Sequence, residues 1–379
     1  MKAEDSDVVV IGGGIVGMAL AAFLAEAGRD VMLVDRGEGG GSTANAGSLH
    51  VQMQSRFMQL YPENVPGMER QLPLYPKATR FWQALETRLG ADFELKKNGG
   101  LMVAENRQQL DFLHVKAERE RKLGLSVDVL ERDALERIAP YFGPAVVGAE
   151  ICHDEGKLNP LRANAALRAH ALAEGVRLRE GCAVTGLARE ADGYRVALSD
   201  AGAVRCATLV IAAAEGTGKL AAMLGFTIPT RAEPLHMNIT EAAAPMIGHL
   251  IQHADRMITL KQFATGQIVI GGGWPADIAE GRGVPRTRLD SMIANVTLAS
   301  HIVPAVSPLR IIRTWAGINT SVDGKGVLGP VTTHPGLYIA VPGDAGYTLG
   351  PLSARLVCDT ILGLDPGEDL SDYSPMRFA

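Results

Sequence analysis

An uncharged, mostly apolar run extends from Val8 to Leu24, and glycines at 12, 13 and 14 divide it into two unlike halves. Val8–Ile11 has the continuous apolar character of a strand buried on both faces. From Ile15 onward the run starts a helix, and Val31–Val34 is a second buried strand. Gly37–Gly47, rich in glycine, serine and threonine, is a loop, and residues 51–85 mix aromatics, prolines and polar groups. A charge-rich stretch from Gln108 to Arg137, closed by Pro140 and Gly143, predicts helix in a smaller second domain. Leu161–Glu174 predicts a helix with alanine and leucine on one face, and Val176–Arg179, Tyr194–Leu198 and Cys206–Ala212 predict strands. Alternation between Pro234 and Ile270, in Met237–Thr240, Met257–Lys261 and Gln267–Gly271, has the spacing of antiparallel strands. Leu337–Val341 is another buried strand and Gly346–Leu362 a final helix.

The start of the chain carries the sharpest motif. Strand, Gly12-Gly13-Gly14-Ile15-Val16-Gly17, helix, second strand and Asp35, eighteen residues after Gly17, form a dinucleotide fingerprint. Gly12 allows the tight turn, Gly14 lets backbone approach a pyrophosphate, and Gly17 lets the helix pack against the strand. The pyrophosphate then meets the positive end of the helix that Ile15 and Val16 open, while Asp35 accepts from ribose hydroxyls. The bland alternative is a glycine-rich turn in a cofactor-free α/β domain. No second fingerprint appears, because Gly271-Gly272-Gly273-Trp274-Pro275 lacks the spacing and the following helix.

At 379 residues, with 47% hydrophobic and 21% charged, the chain can fill two domains, which the alternating elements predict to be interleaved. A net charge of −5 gives no general attraction for nucleic acid. Cys152, Cys182, Cys206 and Cys358 form no CxxC pair, so inert thiols and no metal site are expected. The acidic Glu4, Asp5 and Asp7 before the apolar run argue against an export signal, and the run itself is the fingerprint. No membrane span and a cytoplasmic location are expected.

Four further segments resemble the D-amino acid oxidase superfamily of flavoproteins, in the branch of glycine oxidases, sarcosine oxidases and D-amino acid dehydrogenases. Ser42-Thr43-Ala44-Asn45-Ala46-Gly47-Ser48-Leu49 is similar to the loop that passes along the flavin, with Asn45-Ala46-Gly47 in the dehydrogenase form. Leu209–Gly216 resembles the second cofactor strand, with Ala214 where glycine is usual. Arg313-Thr314-Trp315-Ala316-Gly317 followed by Asp323-Gly324-Lys325 and Leu328-Gly329-Pro330 is the most specific of the four. Gly336–Ala340 followed by Gly343-Asp344-Ala345-Gly346-Tyr347-Thr348-Leu349-Gly350-Pro351 resembles the closing loop and helix over the flavin. The resemblance implies an α/β fold: a Rossmann-like FAD domain (1–88, 145–222, 320–379) interleaved with an α+β substrate domain (89–144, 223–319) carrying a mixed or antiparallel sheet. Val184, Ala213, Gly216, Gly317, Gly343, Gly346, Thr348 and Leu349 join the fingerprint, Arg36 and the Ser42–Leu49 loop as expected FAD contacts. A helix starting near Gly346 can aim free N–H groups at the flavin and stabilise its anionic reduced ring.

The implied chemistry is oxidation of a C–N bond. Hydride passes from the carbon beside a neutral amine to the flavin, the imine hydrolyses, and electrons leave to oxygen, a quinone or a protein. Glycine oxidases place a carboxylate-clamping arginine where this chain has Asn319, and a second where it has Gly343-Asp344-Ala345-Gly346, which disfavours simple glycine. Either Arg56 or Lys261 holds a substrate carboxylate, the reading slightly preferred, or the substrate is an amine with a larger or differently charged body. His50 and Tyr347 are the candidate catalytic residues, with Trp274, Asn319 and Tyr347 beside the substrate; core roles are the alternatives for His50 and Trp274. Asn45, Ala316, Gly317 and Val269 stand where relatives carry flavin-linking or flavin-facing groups, so FAD is expected to be non-covalent. Two rivals remain: a flavin-binding component of a hetero-oligomer resembling opine oxidase and hydroxyproline dehydrogenase β chains, and an NAD(P)-dependent dehydrogenase with Arg36 on a 2′-phosphate.

Overall fold

A computed structural model describes residues 4–37, 40–279 and 284–379. Two eight-stranded sheets organise it. In the first, Glu4–Ile11 pairs in parallel with Val31–Val34 on one side and Ala203–Ile211 on the other. Arg177–Arg179 and Leu337–Val341 extend this parallel array at either end, and Val327–Pro330 adds an antiparallel edge. Val8, Val10, Val31 and Leu33 enter one core, while Val9, Ile11, Met32 and Val34 enter another on the opposite face. Side chains alternate along a strand, so an unbroken apolar run can exist only where both faces are covered.

The covering helices on one face are Ile15–Glu26, Leu74–Leu89, Pro160–Ala173 and Gly346–Ile361. Pro351 lies inside the last of these and has no N–H for the carbonyl of Tyr347, four residues back. The indole Nε1 of the buried Trp82 donates to that oxygen at 3.3 Å and to Thr348 O at 3.0 Å.

The second sheet runs in the order Ile311–Ser321, Arg231–Ala242, Gln267–Gly271, Thr259–Gln262, Leu250–His253, Gly100–Ala104, Gly148–Cys152, Val127–Glu131. All its pairings are antiparallel except that of Leu250–His253 with Gly100–Ala104. The expected mixed sheet is therefore present, with one correction. The charge-rich stretch is not one helix: helices Arg107–Lys122 and Arg132–Ile138 flank an edge strand, Val127–Glu131. Gly148–Cys152, within the cofactor-side segment expected from residue 145, hydrogen-bonds in the second sheet. No helix among the described residues is long and apolar enough to cross a membrane.

Candidate functional site

The carboxyl ends of Glu4–Ile11, Val31–Val34 and Ala203–Ile211 open onto a cavity of about 520 Å³ between the two sheets. This is where a doubly wound sheet binds ligands. Gly12, at φ +111°, lies so close to the carbonyl of Ala212 that a Cβ would overlap it. Gly17 likewise abuts the Gly12 carbonyl. Gly14 caps the helix Ile15–Glu26 without a side chain of its own; Ser42 Oγ accepts from Ile15 N at 2.9 Å, and a Cβ at Gly14 would meet only that hydroxyl, at 3.1 Å. Gly14, Ile15 and Val16 line the cavity, so the positive end of the helix is turned toward an anion bound there. Asp35 is held at the next strand end, accepting from Gly13 N at 2.6 Å and Gly37 N at 2.7 Å. Arg36 beside it pairs with Glu215 at 2.7 Å.

A second wall comes from the loop ending at Ser48. Trp315 Nε1 donates to Ala44 O at 2.8 Å and Asn164 Nδ2 to Ser42 O at 2.9 Å, while Asn45 Oδ1 accepts from Gly47 N at 2.7 Å. Gly317 lets the loop reach the second sheet, since a Cβ there would lie 2.7 Å from that of Ala44. The sixteen-residue helix Gly346–Ile361 points its N-terminus into the same cavity, without a side-chain cap. Two helix N-termini, a glycine cradle and a ribose-level acid fit a dinucleotide of the size and charge of FAD.

At the second-sheet end stands His50, half-buried, its N–H donating to Thr348 Oγ1 at 3.1 Å. Burial first, then the nearby Lys261, pushes its imidazole down to about 3, so the ring is neutral at physiological pH. Lys261 is fully enclosed and donates from Nζ to Ser48 Oγ at 2.8 Å; burial and Lys157 push it down to about 7. Asn319 Nδ2 donates to Glu233 Oε2 at 3.2 Å and to Asp344 Oδ1 at 3.4 Å. Crowding around the Asp344 carboxyl, with Glu233 adding to it, raises that group to about 6.

A family profile described as FAD dependent oxidoreductase (DAO) matches residues 7–360. The chain belongs to this family. One of the opine oxidase subunits of Rhizobium meliloti is 26% identical, over 98% of this chain and 97% of its own. Glycine oxidase of Geobacillus kaustophilus is 24% identical over 98% and 97%. The structure of L-proline dehydrogenase from P. horikoshii, 22% identical, superposes with a TM-score of 0.85 over 100% of this chain and 98% of that one. Family membership sets aside the nicotinamide reading, and in the oxidoreductase Arg36 is occupied by Glu215.

Most expected cofactor residues of the oxidoreductase line the cavity: Gly12, Gly14, Ile15, Val16, Asp35, Arg36, Ser42, Ala44, Asn45, Ala46, Ser48, Val184, Ala213, Gly216, Gly317, Gly343, Gly346, Tyr347 and Thr348. Gly17, Thr43, Gly47, Leu49 and Leu349 stand behind that wall. Leu49 and Leu349 are core, Thr43 Oγ1 bonds Gly40 O at 2.9 Å, and Gly47 packs on the Leu158 carbonyl.

The substrate candidates divide. His50 and Asn319 face the cavity, whereas Lys261 lies behind Ser48. Arg56 lies outside it, in the exposed turn of a short helix, with Nη1 on Asp255 O at 3.0 Å. Trp274 packs against the core of the second sheet. Tyr347 walls the cavity, but its ring stacks on Trp82 at 5.3 Å and its hydroxyl donates to Asn164 Oδ1 at 3.0 Å. It has no free proton to offer, and burial holds that proton firmly.

Sequence reasoning missed Lys219, Met223, Leu235, Met237 and Thr259 in the walls. It also missed Gly272 and Gly273, whose positive φ values of 96° and 88° turn the chain at the cavity edge. The glycine run itself was the available signal for these two.

Proposed function

We propose that the oxidoreductase holds FAD non-covalently in this cavity and oxidises the C–N bond of an amine or of an amino or imino acid, releasing an imine that hydrolyses. The observation that carries this reading is the continuity of one cavity from the Asp35 cradle to His50. Bound there, FAD supplies a two-electron acceptor for the carbon beside the nitrogen. The protein's part is positioning: the helix from Gly346 offers N–H groups to negative charge, Leu235, Met237 and Ile318 keep water out, and His50 presents a neutral imidazole. Asn45, Ala316 and Gly317 offer no nucleophile for a covalent flavin link. Four buried, unpaired cysteines accord with a reducing, cytoplasmic setting. The two sheets are assigned to cofactor and substrate domains, and the acceptor to oxygen, a quinone or a protein.

Purified chain, incubated with FAD and freed of excess, should be yellow, and an anaerobic panel of amines should bleach it. Absence of flavin absorbance overturns the cofactor assignment, and a yellow protein that no amine bleaches overturns the C–N assignment. Similarity to the opine oxidase component over nearly its whole length favours one second reading, a chain active only with a partner. Bleaching that appears only on co-expression with that partner would establish it.

A further inference from the structure

An enclosed carboxylate, Glu155, stands beside the cavity. Glu155 lies just before the two-residue strand Gly156–Lys157, which pairs with Ser48–Leu49 and so brings it alongside His50. It is fully buried. Its Oε1 accepts from Val51 N at 2.7 Å and Gln52 N at 3.0 Å, and its Oε2 from Gln52 Nε2 at 2.9 Å and Gln252 Nε2 at 2.8 Å. Gly100 makes the room, since a Cβ there would overlap the carboxylate. The two backbone groups that Glu155 grips follow His50 directly. His50 Nδ1 is buried without a hydrogen-bond partner and lies 4.0 Å from Glu155 Oε1.

We propose that His50 and Glu155 act as a dyad that removes the proton of the substrate ammonium, with His50 as the base and Glu155 as its positioning residue. The inference rests on the amine-oxidation reading. In the step, an ammonium N–H bond breaks and a bond to His50 Nε2 forms, leaving the amine its lone pair. The Nδ1–H of the resulting imidazolium closes onto Glu155, and no electron changes owner. A base must be free of its proton beforehand, which the neutral ring satisfies; burial leaves that ring a weak base, and ionised Glu155 beside Nδ1 supplies the negative charge that raises its basicity and compensates its cation.

Charged groups packed around the pair set the pH at which this happens. Lys261 and Lys157 approach from the His50 side, and Lys116, with Glu120 and Glu150, stands behind Gln52, whose Oε1 accepts from Lys116 Nζ at 3.2 Å. Burial, opposed by the Gln52 side chain, the Val51 and Gln52 N–H groups and Lys116, leaves the Glu155 carboxyl at about 7. Proton removal should therefore switch on as pH rises through about 7.

Two measurements test this. In protein labelled with ¹⁵N-histidine, the His50 ring should be the Nδ1–H tautomer at pH 8 and should shift near pH 7; an Nε2–H tautomer overturns the dyad without any turnover. In anaerobic flavin reduction by a bleaching amine, the rate should rise through pH 7 in the wild type. His50→Gln should lower it by roughly 100- to 1,000-fold and abolish that rise. Glu155→Gln should also abolish the rise, together with the NMR shift. An unchanged profile in His50→Gln refutes the dyad while leaving amine oxidation standing. If no amine reduces the wild type, that function fails and the NMR result still decides the pair.

Discussion

Lys116 offers a quantitative test of how the second sheet tolerates buried charge. Its ammonium is fully enclosed and donates to Glu120 at 3.0 Å and Glu150 at 2.9 Å. Burial opposes its charge, but the two carboxylates outweigh that and keep it protonated. Burial, opposed by Lys116 and reinforced by Glu120, holds the Glu150 carboxyl well above its ordinary value. The cluster is thus a buried cation opposite two carboxyl groups, of which Glu150 is driven toward its protonated form. Lys116→Met keeps the volume and removes the cation that opposes this shift, so the Glu150 carboxyl moves further up. Breaking one partner from such a cluster costs about 3–5 kcal/mol at pH 7. A carboxyl that the fold keeps protonated while the unfolded chain ionises near pH 4.3 lowers stability as pH rises, by up to about 1.4 kcal/mol per pH unit. Lys116→Met strengthens this loss, so the gap between the two proteins should widen from pH 5.5 to 7.5, by no more than about 2.7 kcal/mol, the limit for one further proton retained over that range. Urea unfolding of both proteins with saturating FAD, at several pH values, reads this directly. A gap that stays constant with pH, or one below about 1 kcal/mol at pH 7, refutes the assignment of charges.

Ala214 sits at φ 51°, the left-handed region, at the position where glycine is usual in resembling flavoproteins. Ala214→Gly should relieve about 1–2 kcal/mol of strain, part of which is offset by unfolded-state entropy; a net gain of about 0.5–1 kcal/mol in urea unfolding is expected, and a loss would show that the turn tolerates alanine. The carboxylate of Asp344 should attract a cationic amine above pH 6 and lose that attraction as it is protonated below it. Asp344→Asn should raise KM about three- to fivefold at pH 8, after allowance for solvent screening, and flatten its dependence between pH 5 and 7; an unchanged KM places the substrate elsewhere.

The cradle was legible because its constraints are local. Gly12 and Gly17 answer to backbone within a few residues or to an adjacent strand, and Val8–Ile11 is apolar throughout because both its faces are covered. Val127–Glu131 was hidden because an edge strand with one open face carries Asp128 and Glu131 among charged helices. Leu74–Leu89 was hidden by Pro76, which a first helical turn accommodates without loss. Arg56 stood beside Lys261 as a candidate for a substrate carboxylate, but the short helix Ser55–Leu60 carries it to the surface. Glu155 had no signal at all: its partners are Val51, Gln52 and Gln252, brought together only by the pairing of two sheets' worth of distant chain.

These placements reverse the preference between the two substrate readings. A carboxylate needs donors, and of the two cations offered for it Arg56 faces solvent while Lys261 spends its reach on Ser48 behind the wall. Asn319 directs its amide hydrogens at Glu233 and Asp344, so what it leaves for a ligand is a carbonyl oxygen next to two carboxylates. That rim accepts hydrogen bonds and repels anions. Exchanging a guanidinium for an acceptor changes the sign of the preferred ligand, because a bidentate carboxylate clamp has no equivalent among acceptor groups. The substrate body that suits this end carries N–H groups or positive charge, which also brings the ammonium proton within the field of the neutral His50 on the cavity wall.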